Sequence, residues 1–571
     1  MKVKFSQENC QPAIQSKITD FWCRMHGHLK LCGVVLLLLT ASSAHAAKVA
    51  DFIPKESVLY LQLRDIDEVY GEIEASENWE KIFAMAPNVV PNWQDLQQGI
   101  AMVQGVLSTD PLSVLETIGY RTVLAVWLNQ ANAPQIGLVI HSGGNLSELQ
   151  RFTKIVEGLV GMSGESTWHP NAGEYQRTPY NMMEMDGNVV KYGFVGEFLV
   201  LGAGETAFEK LMDTYRKDVP SIHKNQAFKE TSKKLGAGVI SAFANISHGL
   251  SLISDLDDVN RKRLAIFESL SARINLLEKG PLLQVDVQFN PNLPDNEIGM
   301  FLKKGETLKT PNAMSTSDDL FVAIAPSILE SVWELLRTEI HKNANNDTYA
   351  AIALFEGLLN LNLEKDVMAG LTGEIALSVP DFTKFDPQAL ENINMQFDGN
   401  FYFDAGNVET GGAIIFNPTN RMKWNQIGNS LSNLQNFSIS QTDYNDTTVS
   451  GLDSSIYYSE VNNLFLLGFS EEDIFRLVDS AKKDTEPSYL KQIPKTPVAF
   501  AQVNVARALE IQKGAPPSDQ VLVSSKEITP VLAWISIEDS EASFEIVLSS
   551  EQIPLEVLAK HVPFYIWAMQ N

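Results

Sequence analysis

Phe198-Leu199-Val200-Leu201-Gly202 runs into Glu205-Thr206-Ala207-Phe208-Glu209-Lys210-Leu211-Met212-Asp213-Thr214-Tyr215-Arg216-Lys217, and a close likeness of this stretch recurs 266 residues later. There Leu464-Phe465-Leu466-Leu467-Gly468 runs into Glu471-Glu472-Asp473-Ile474-Phe475-Arg476-Leu477-Val478-Asp479-Ser480-Ala481-Lys482-Lys483. Six of the twenty paired positions are identical without a gap, and many others exchange like for like. Each copy reads as an apolar strand, a glycine turn and an amphipathic helix. Glycine lets the chain turn sharply out of the strand. Glu205 and Glu471 suit the positive end of the helix dipole, and Lys217 and Lys483 suit the other end.

The flanks repeat in the same order. Val58–Leu63 matches Leu320–Ala325, Gly137–Ile140 matches Gly412–Ile415, and Val239–Ile246 matches Val498–Val505 with Asn245 opposite Asn504. Leu293-Pro294 and Ile553-Pro554 each open a short helical pattern. Self-similarity at a long period marks duplicated structural units. The expected organisation is a signal peptide over 1–46, one repeat unit over 47–304, a linker over 305–318 and a second unit over 319–571.

Within each unit, strand and helix signals alternate. Val123–Leu128, Leu283–Phe289, Gly373–Val379 and Phe544–Leu548 read as strands. Leu146–Val160, Val259–Leu277, Ile328–Ile340 and Ile474–Ala481 carry helical apolar spacing. Tyr192–Leu201 and Ile456–Leu467 read as hairpins, and Pro291–Asp318 reads as a closing helix followed by the linker. Frequent hairpins imply an α+β fold: two tandem diverged repeats, each a largely antiparallel sheet with helices packed on one face.

The first 46 residues have the three parts of a secretory signal. Arg24 and Lys30 precede the apolar run Leu31–Leu39, and Ala44-His45-Ala46 supplies a small-residue cleavage pattern, so cleavage is expected after Ala46. That run is about half the length of a bilayer-spanning helix. Met25 is an alternative start that gives a signal of ordinary length. The expected location is periplasmic or extracellular, with no transmembrane span in the mature chain.

Processing changes the composition. Cys10, Cys23 and Cys32 all precede residue 47, which excludes disulfides and thiol chemistry from the mature chain. Residues 47–571 carry 39 basic and 68 acidic side chains. Such a chain repels nucleic acid, whose binding depends on neutralising phosphates.

Several motifs were weighed for chemistry. Gly202-Ala203-Gly204-Glu205-Thr206-Ala207 has a dinucleotide-binding form, but Glu205 stands where phosphate oxygens would lie, and the second copy reads Gly468-Phe469-Ser470-Glu471-Glu472-Asp473. Ser480-Ala481-Lys482-Lys483 has the spacing of some serine acyl enzymes without their companion motifs. The mature histidines, His141, His169, His223, His248, His341 and His561, lie at least 25 residues apart, which gives no metal-binding pair. Asp255, Asp257 and Asp258 read as the acidic start of a helix rather than calcium ligands. No catalytic, cofactor-binding or metal-binding residue is assigned, and no cofactor is expected. Val562–Met569 is apolar and aromatic, so it either packs on the core of its own unit or makes a surface contact with a partner.

Ala50-Asp51-Phe52-Ile53-Pro54-Lys55-Glu56-Ser57-Val58-Leu59-Tyr60-Leu61 resembles the opening of a secreted bacterial family of unknown function, number 3352 in the domain-of-unknown-function series. Members are similar in their Pro-x-x-Ser/Thr followed by an aromatic-containing strand, and in recurrent strand–Gly–helix units. The resemblance implies export and the repeated fold, and it carries no catalytic residues. The functional expectation is an exported, non-enzymatic envelope protein with a structural or protein-interaction role. A periplasmic carrier of a lipophilic ligand is the alternative, on the strength of segments such as Ile82-Phe83-Ala84-Met85-Ala86 and Tyr180-Asn181-Met182-Met183. A hydrolase with an unrecognised site is a third.

Overall fold

The computed structural model describes residues 49–89, 120–162, 166–252, 264–290, 303–384, 394–404, 411–432, 439–483 and 496–570, apart from breaks of one to three residues. The expected signal peptide, the closing helix expected at Pro294 and most of the Asp255–Asp258 cluster lie outside them. The chain forms two compact units: one takes it to Gly71 and resumes over Asp95–Asn225, and the other takes Glu72–Gln94 and Gln226–Asn571.

Unit 1 is an antiparallel sheet of β1 (Leu59–Arg64), β2 (Arg121–Leu128), β3 (Pro134–His141), β4 (Ser166–Tyr175), β5 (Thr178–Met185), β6 (Asn188–Val195) and β7 (Phe198–Ala203). Across the sheet they run β1-β2-β3-β7-β6-β5-β4. Helices α1 (Leu146–Met162) and α2 (Ala207–Arg216) pack on it. Successive strand residues point to opposite faces. Lys191 in β6 pairs with Glu209 of α2, while the neighbouring Tyr192 donates to Glu157 of α1 at 2.6 Å. The two helices therefore address opposite faces, which corrects the expectation of helices on one face only. The reason is visible in β7, where Phe198, Leu199 and Val200 are all buried: a strand apolar on both sides needs cover on both.

Unit 2 contains α3 (Gln226–Leu235), β8 (Ile240–Asn245), α4 (Ile246–Leu252), β9 (Phe267–Ile274), β10 (Leu283–Phe289), β11 (Leu320–Ile324), α5 (Pro326–Asn343), α6 (Asn346–Leu359) and β12 (Gly373–Val379). A separate hairpin, β13 (Asn394–Phe397) with β14 (Phe401–Asp404), precedes β15 (Ala413–Pro418) and α7 (Arg421–Ser432). The rest is β16 (Ile439–Tyr444), β17 (Thr447–Leu452), β18 (Ile456–Val461), β19 (Leu464–Gly468), α8 (Glu471–Ala481), β20 (Pro497–Val503), α9 (Val505–Lys513), β21 (Val531–Glu538), β22 (Glu541–Leu548) and α10 (Pro554–Gln570). Its antiparallel sheet is ordered β8-β9-β10-β22-β21-β20-β11-β12-β15-β19-β18-β17-β16. Large antiparallel sheets with helices make the chain α+β, as expected.

One expected helix is a strand. Within Val259–Leu277 the structure places β9, hydrogen-bonded to β8 on one side and β10 on the other. Leu270, Ala272 and Ile274 alternate with Ser269, Ser271 and Arg273, so a two-residue period was present beneath the helical one. Pairing on both sides decided between them.

The glycines of the repeated stretch do something other than turn the chain. Neither Gly202 nor Gly468 has a positive φ. A Cβ on Gly202 would lie 2.2 Å from the Phe208 backbone nitrogen, so glycine is what lets α2 sit on β7. At Gly468 the nearest atom is the flexible Ile474 Cγ1 at 3.0 Å. Phe208, Leu211 and Met212 are buried under the first contact, and Ile474, Leu477 and Val478 under the second.

The aromatic tail forms α10, and its Phe564, Trp567 and Ala568 are buried with Ala506 and Ile528. Of the two readings of this tail, the structure shows packing on the core of its own unit. The helix Glu77–Val89 lies against it, with Asn78 Nδ2 donating to Glu556 Oε2 at 3.2 Å. His561 is buried in the same helix. Its Nε2 accepts the Thr529 N–H at 3.2 Å, while Nδ1 has no partner. Among the described residues, no helix is long and apolar enough to cross a membrane.

Two outcomes are expected. Gly202→Ala lowers stability by about 1–3 kcal/mol through overpacking against backbone, and Gly468→Ala costs less because a side chain can yield; equal losses in thermal melts would contradict the contact. Burial, with Lys560 adding to it, holds the His561 pKa down, from 6.5 to about 4. Neutral His561 therefore stabilises unit 2 fully above pH 6.5, and that stability is lost as pH falls toward about 4. Chemical denaturation should show a loss of about 2 kcal/mol between about pH 7 and pH 5, and His561→Leu should flatten that slope.

Candidate functional site

The motifs singled out by sequence sit in structural roles. At the Gly202–Ala207 turn, the Thr206 N–H that would meet a phosphate donates instead to Gln135 Oε1 at 3.3 Å. A side chain on Gly204, at φ 120, would collide with that same Gln135. Ser480 is buried and Lys483 is exposed, so the serine–lysine spacing does not assemble a site. His169 and His223 approach carboxylates at 3.9 and 3.8 Å, and His341 bonds Glu364 at 2.9 Å. Among the described residues, no group of three His, Cys, Asp or Glu is placed to hold a metal ion.

Sequence reasoning missed two polar clusters, both in unit 2. The first is buried. Arg476 of α8 donates to Asp318 Oδ1 at 2.6 Å and to Ser378 Oγ at 3.0 Å, and Ser378 donates to Asp318 Oδ2 at 2.8 Å. Beside it, Gln502 donates to the Asp318 carbonyl at 2.9 Å and Asn504 Nδ2 to Asp319 Oδ1 at 3.4 Å. Desolvation raises the pKa of Asp318, Asp319 and Asp473 above the usual carboxylate range, and Arg476 draws the first back down. Buried charge of this kind survives only when paired and hydrogen-bonded. This cluster ties the segments around β11, β12, β20 and α8 together.

The second cluster opens to solvent. A cavity of about 330 Å³ is lined by Gln226 and Glu230 of α3, Glu268 of β9, Gln288 of β10, and Glu538 and Glu541 at the β21–β22 hairpin. A register shift between β9 and β10 at Gln288/Phe289 leaves Glu268 as the unpaired residue of a bulge, which aims it into the cavity. Glu538 and Glu541 face each other directly across the hairpin. Like charges so placed repel, and Lys304 approaches Glu538 at 4.0 Å. The negative charge of its lining makes the cavity disfavour anions. Its residues are scattered over more than 300 positions, from Gln226 to Glu541, so no single stretch of sequence suggests it.

Residues 174–452 match DUF3352, a protein family of unknown function. The DUF3352 match runs from the end of β4 to the end of β17, apart from the opening residues that first suggested the likeness. No curated protein matches the chain. The solved structure described as "Structure of crystal form I of TP0453" is 8% identical and covers 44% of this chain and 82% of that one. Its TM-score of 0.22 carries no argument about fold or function.

Neutralising one wall of the cavity tests its charge balance. Glu268→Gln should raise stability by a few tenths of a kcal/mol at low ionic strength, fading as salt is added. Destabilisation in the same thermal titration would mean that the carboxylates are compensated.

Proposed function

We propose that this chain is an exported envelope protein, made of two diverged copies of one α+β unit, that works by binding another protein rather than by catalysis. The N-terminal Arg24–Ala46 pattern supports export. Three likenesses support the two copies. The pairing order β1-β2-β3-β7-β6-β5-β4 in unit 1 has the same form as β11-β12-β15-β19-β18-β17-β16 in unit 2. Tyr175 at the β4 tip donates to Asp213 of α2 at 2.7 Å, and Tyr444 at the β16 tip donates to Asp479 of α8 at 2.8 Å. Asn245 and Asn504 each accept the N–H of the residue three places on, both at 3.1 Å, capping the helix after their strand.

The observation that carries a binding role is apolar surface on the β11–β12 connection. Val332 and Leu336 stand on one face of α5, and Tyr349 and Leu354 on α6, with Leu354 51% exposed. Large apolar side chains grouped on protruding helices mark interaction sites. The same surface keeps a second reading alive, a carrier for a lipophilic ligand.

Native mass spectrometry of residues 47–571 from a periplasmic preparation separates the two, with cross-linking in the envelope alongside. The interaction reading predicts a bare mass and a reproducible protein partner, lost with Leu336→Glu and Leu354→Glu. A lipid-mass adduct released on denaturation would replace it with the carrier reading.

A further inference from the structure

The first residues expected in the mature chain are among the most buried in unit 1. Val49, Ala50, Phe52 and Ile53 are at most 1% exposed. Phe52 stacks on Tyr215 of α2, with ring centroids 4.1 Å apart. The Ile222 N–H donates to the Ile53 carbonyl at 2.8 Å, and the Lys55 N–H donates to the Pro220 carbonyl at 2.9 Å. Ser57 Oγ donates to the Pro54 carbonyl at 2.8 Å. Residues 49–57 therefore form a strap against the end of α2. Val49, where the strap begins, is the third residue after the expected cut between Ala46 and Ala47.

Unit 2 holds the corresponding strap inside the chain. The match of Val58–Leu63 with Leu320–Ala325 sets Phe52 opposite Met314, which is buried in one cluster with Ile474 and Leu477 of α8. The same match sets Ala46 and Ala47 opposite Leu308 and Lys309. There Leu308 packs on the core, and the Lys309 N–H donates to Glu374 Oε2 at 2.8 Å. A seated strap of this kind draws the residues before it onto the body of the fold.

A peptidase cuts a chain held extended in its own groove, so a bond packed on a folded body is reached only through local opening. At about 3.5 Å per residue, the expected cut lies within about 10 Å of the buried Val49 backbone. We propose that seating of the strap and removal of the signal exclude each other. Cleavage comes first, and the strap then closes unit 1 by laying Phe52 on α2. A precursor whose strap seats first keeps the apolar run Leu31–Leu39 attached. The race between cutting and seating thus decides whether a chain is released from its signal or retained with it. The inference rests on the export reading above and adds an order of events to it.

Cutting of the full-length precursor by a signal peptidase in detergent, followed by mass, tests it. Folded wild-type precursor should be cut about tenfold or more slowly than the same precursor diluted out of urea at the moment of mixing. Phe52→Ala, which loosens the strap, should be cut about tenfold or more faster than folded wild type. A spacer of about ten Gly/Ser residues between Lys48 and Val49 should speed cutting as much, because it moves the bond away and leaves the strap seated. The spacer variant should also keep the wild-type melt. Equal cutting of folded and unfolded wild type overturns the proposal and leaves export intact, as does a spacer variant cut no faster than wild type. A bond left uncut in the unfolded precursor and the spacer variant alike removes the export reading, and the proposal with it.

Discussion

A helix pressed against the strand that leads into it is the contact on which each unit depends. In unit 1, α2 comes so near β7 that Gly202 has no space for a methyl group, and Phe208, Leu211 and Met212 fill the core behind it. In unit 2, Ile474, Leu477 and Val478 of α8 cover Leu464 and Leu466 of β19 in the same way. Each helix also anchors the tip of a hairpin through a tyrosine–aspartate hydrogen bond. With no cysteine after residue 46, burial and these polar ties hold the two units together internally.

The polar residues divide by whether their charges are answered. Asp318, Ser378 and Arg476 bond one another, so they fix structure. The cavity glutamates gather negative charge at one solvent-open site, so they shape the local potential. Apolar side chains on α5 and α6 face solvent instead.

Much of the architecture was legible because its signals are local. The bounds of β10 and β12 could be read from β-branched runs, and the helices at Leu146 and Ile474 from their spacing. What was missed depends on neighbours distant in sequence. β9 carried two competing periods, and only flanking strands chose between them. Cover on both faces follows from Lys191 and Tyr192 pointing opposite ways, which a family of short motifs does not reveal. The cavity is assembled by a bulge at Glu268, and a bulge has no signature in residue type. Gly202 was rightly singled out but for the wrong cause, since a close approach and a sharp turn select the same residue.

The account centres on an exported binding protein, and export is the part most directly measured. Fractionation of expressing cells followed by N-terminal sequencing should find the protein in the periplasmic or secreted fraction with Ala47 as its first residue. A chain that stays in the cytoplasm with residues 25–46 attached would contradict it.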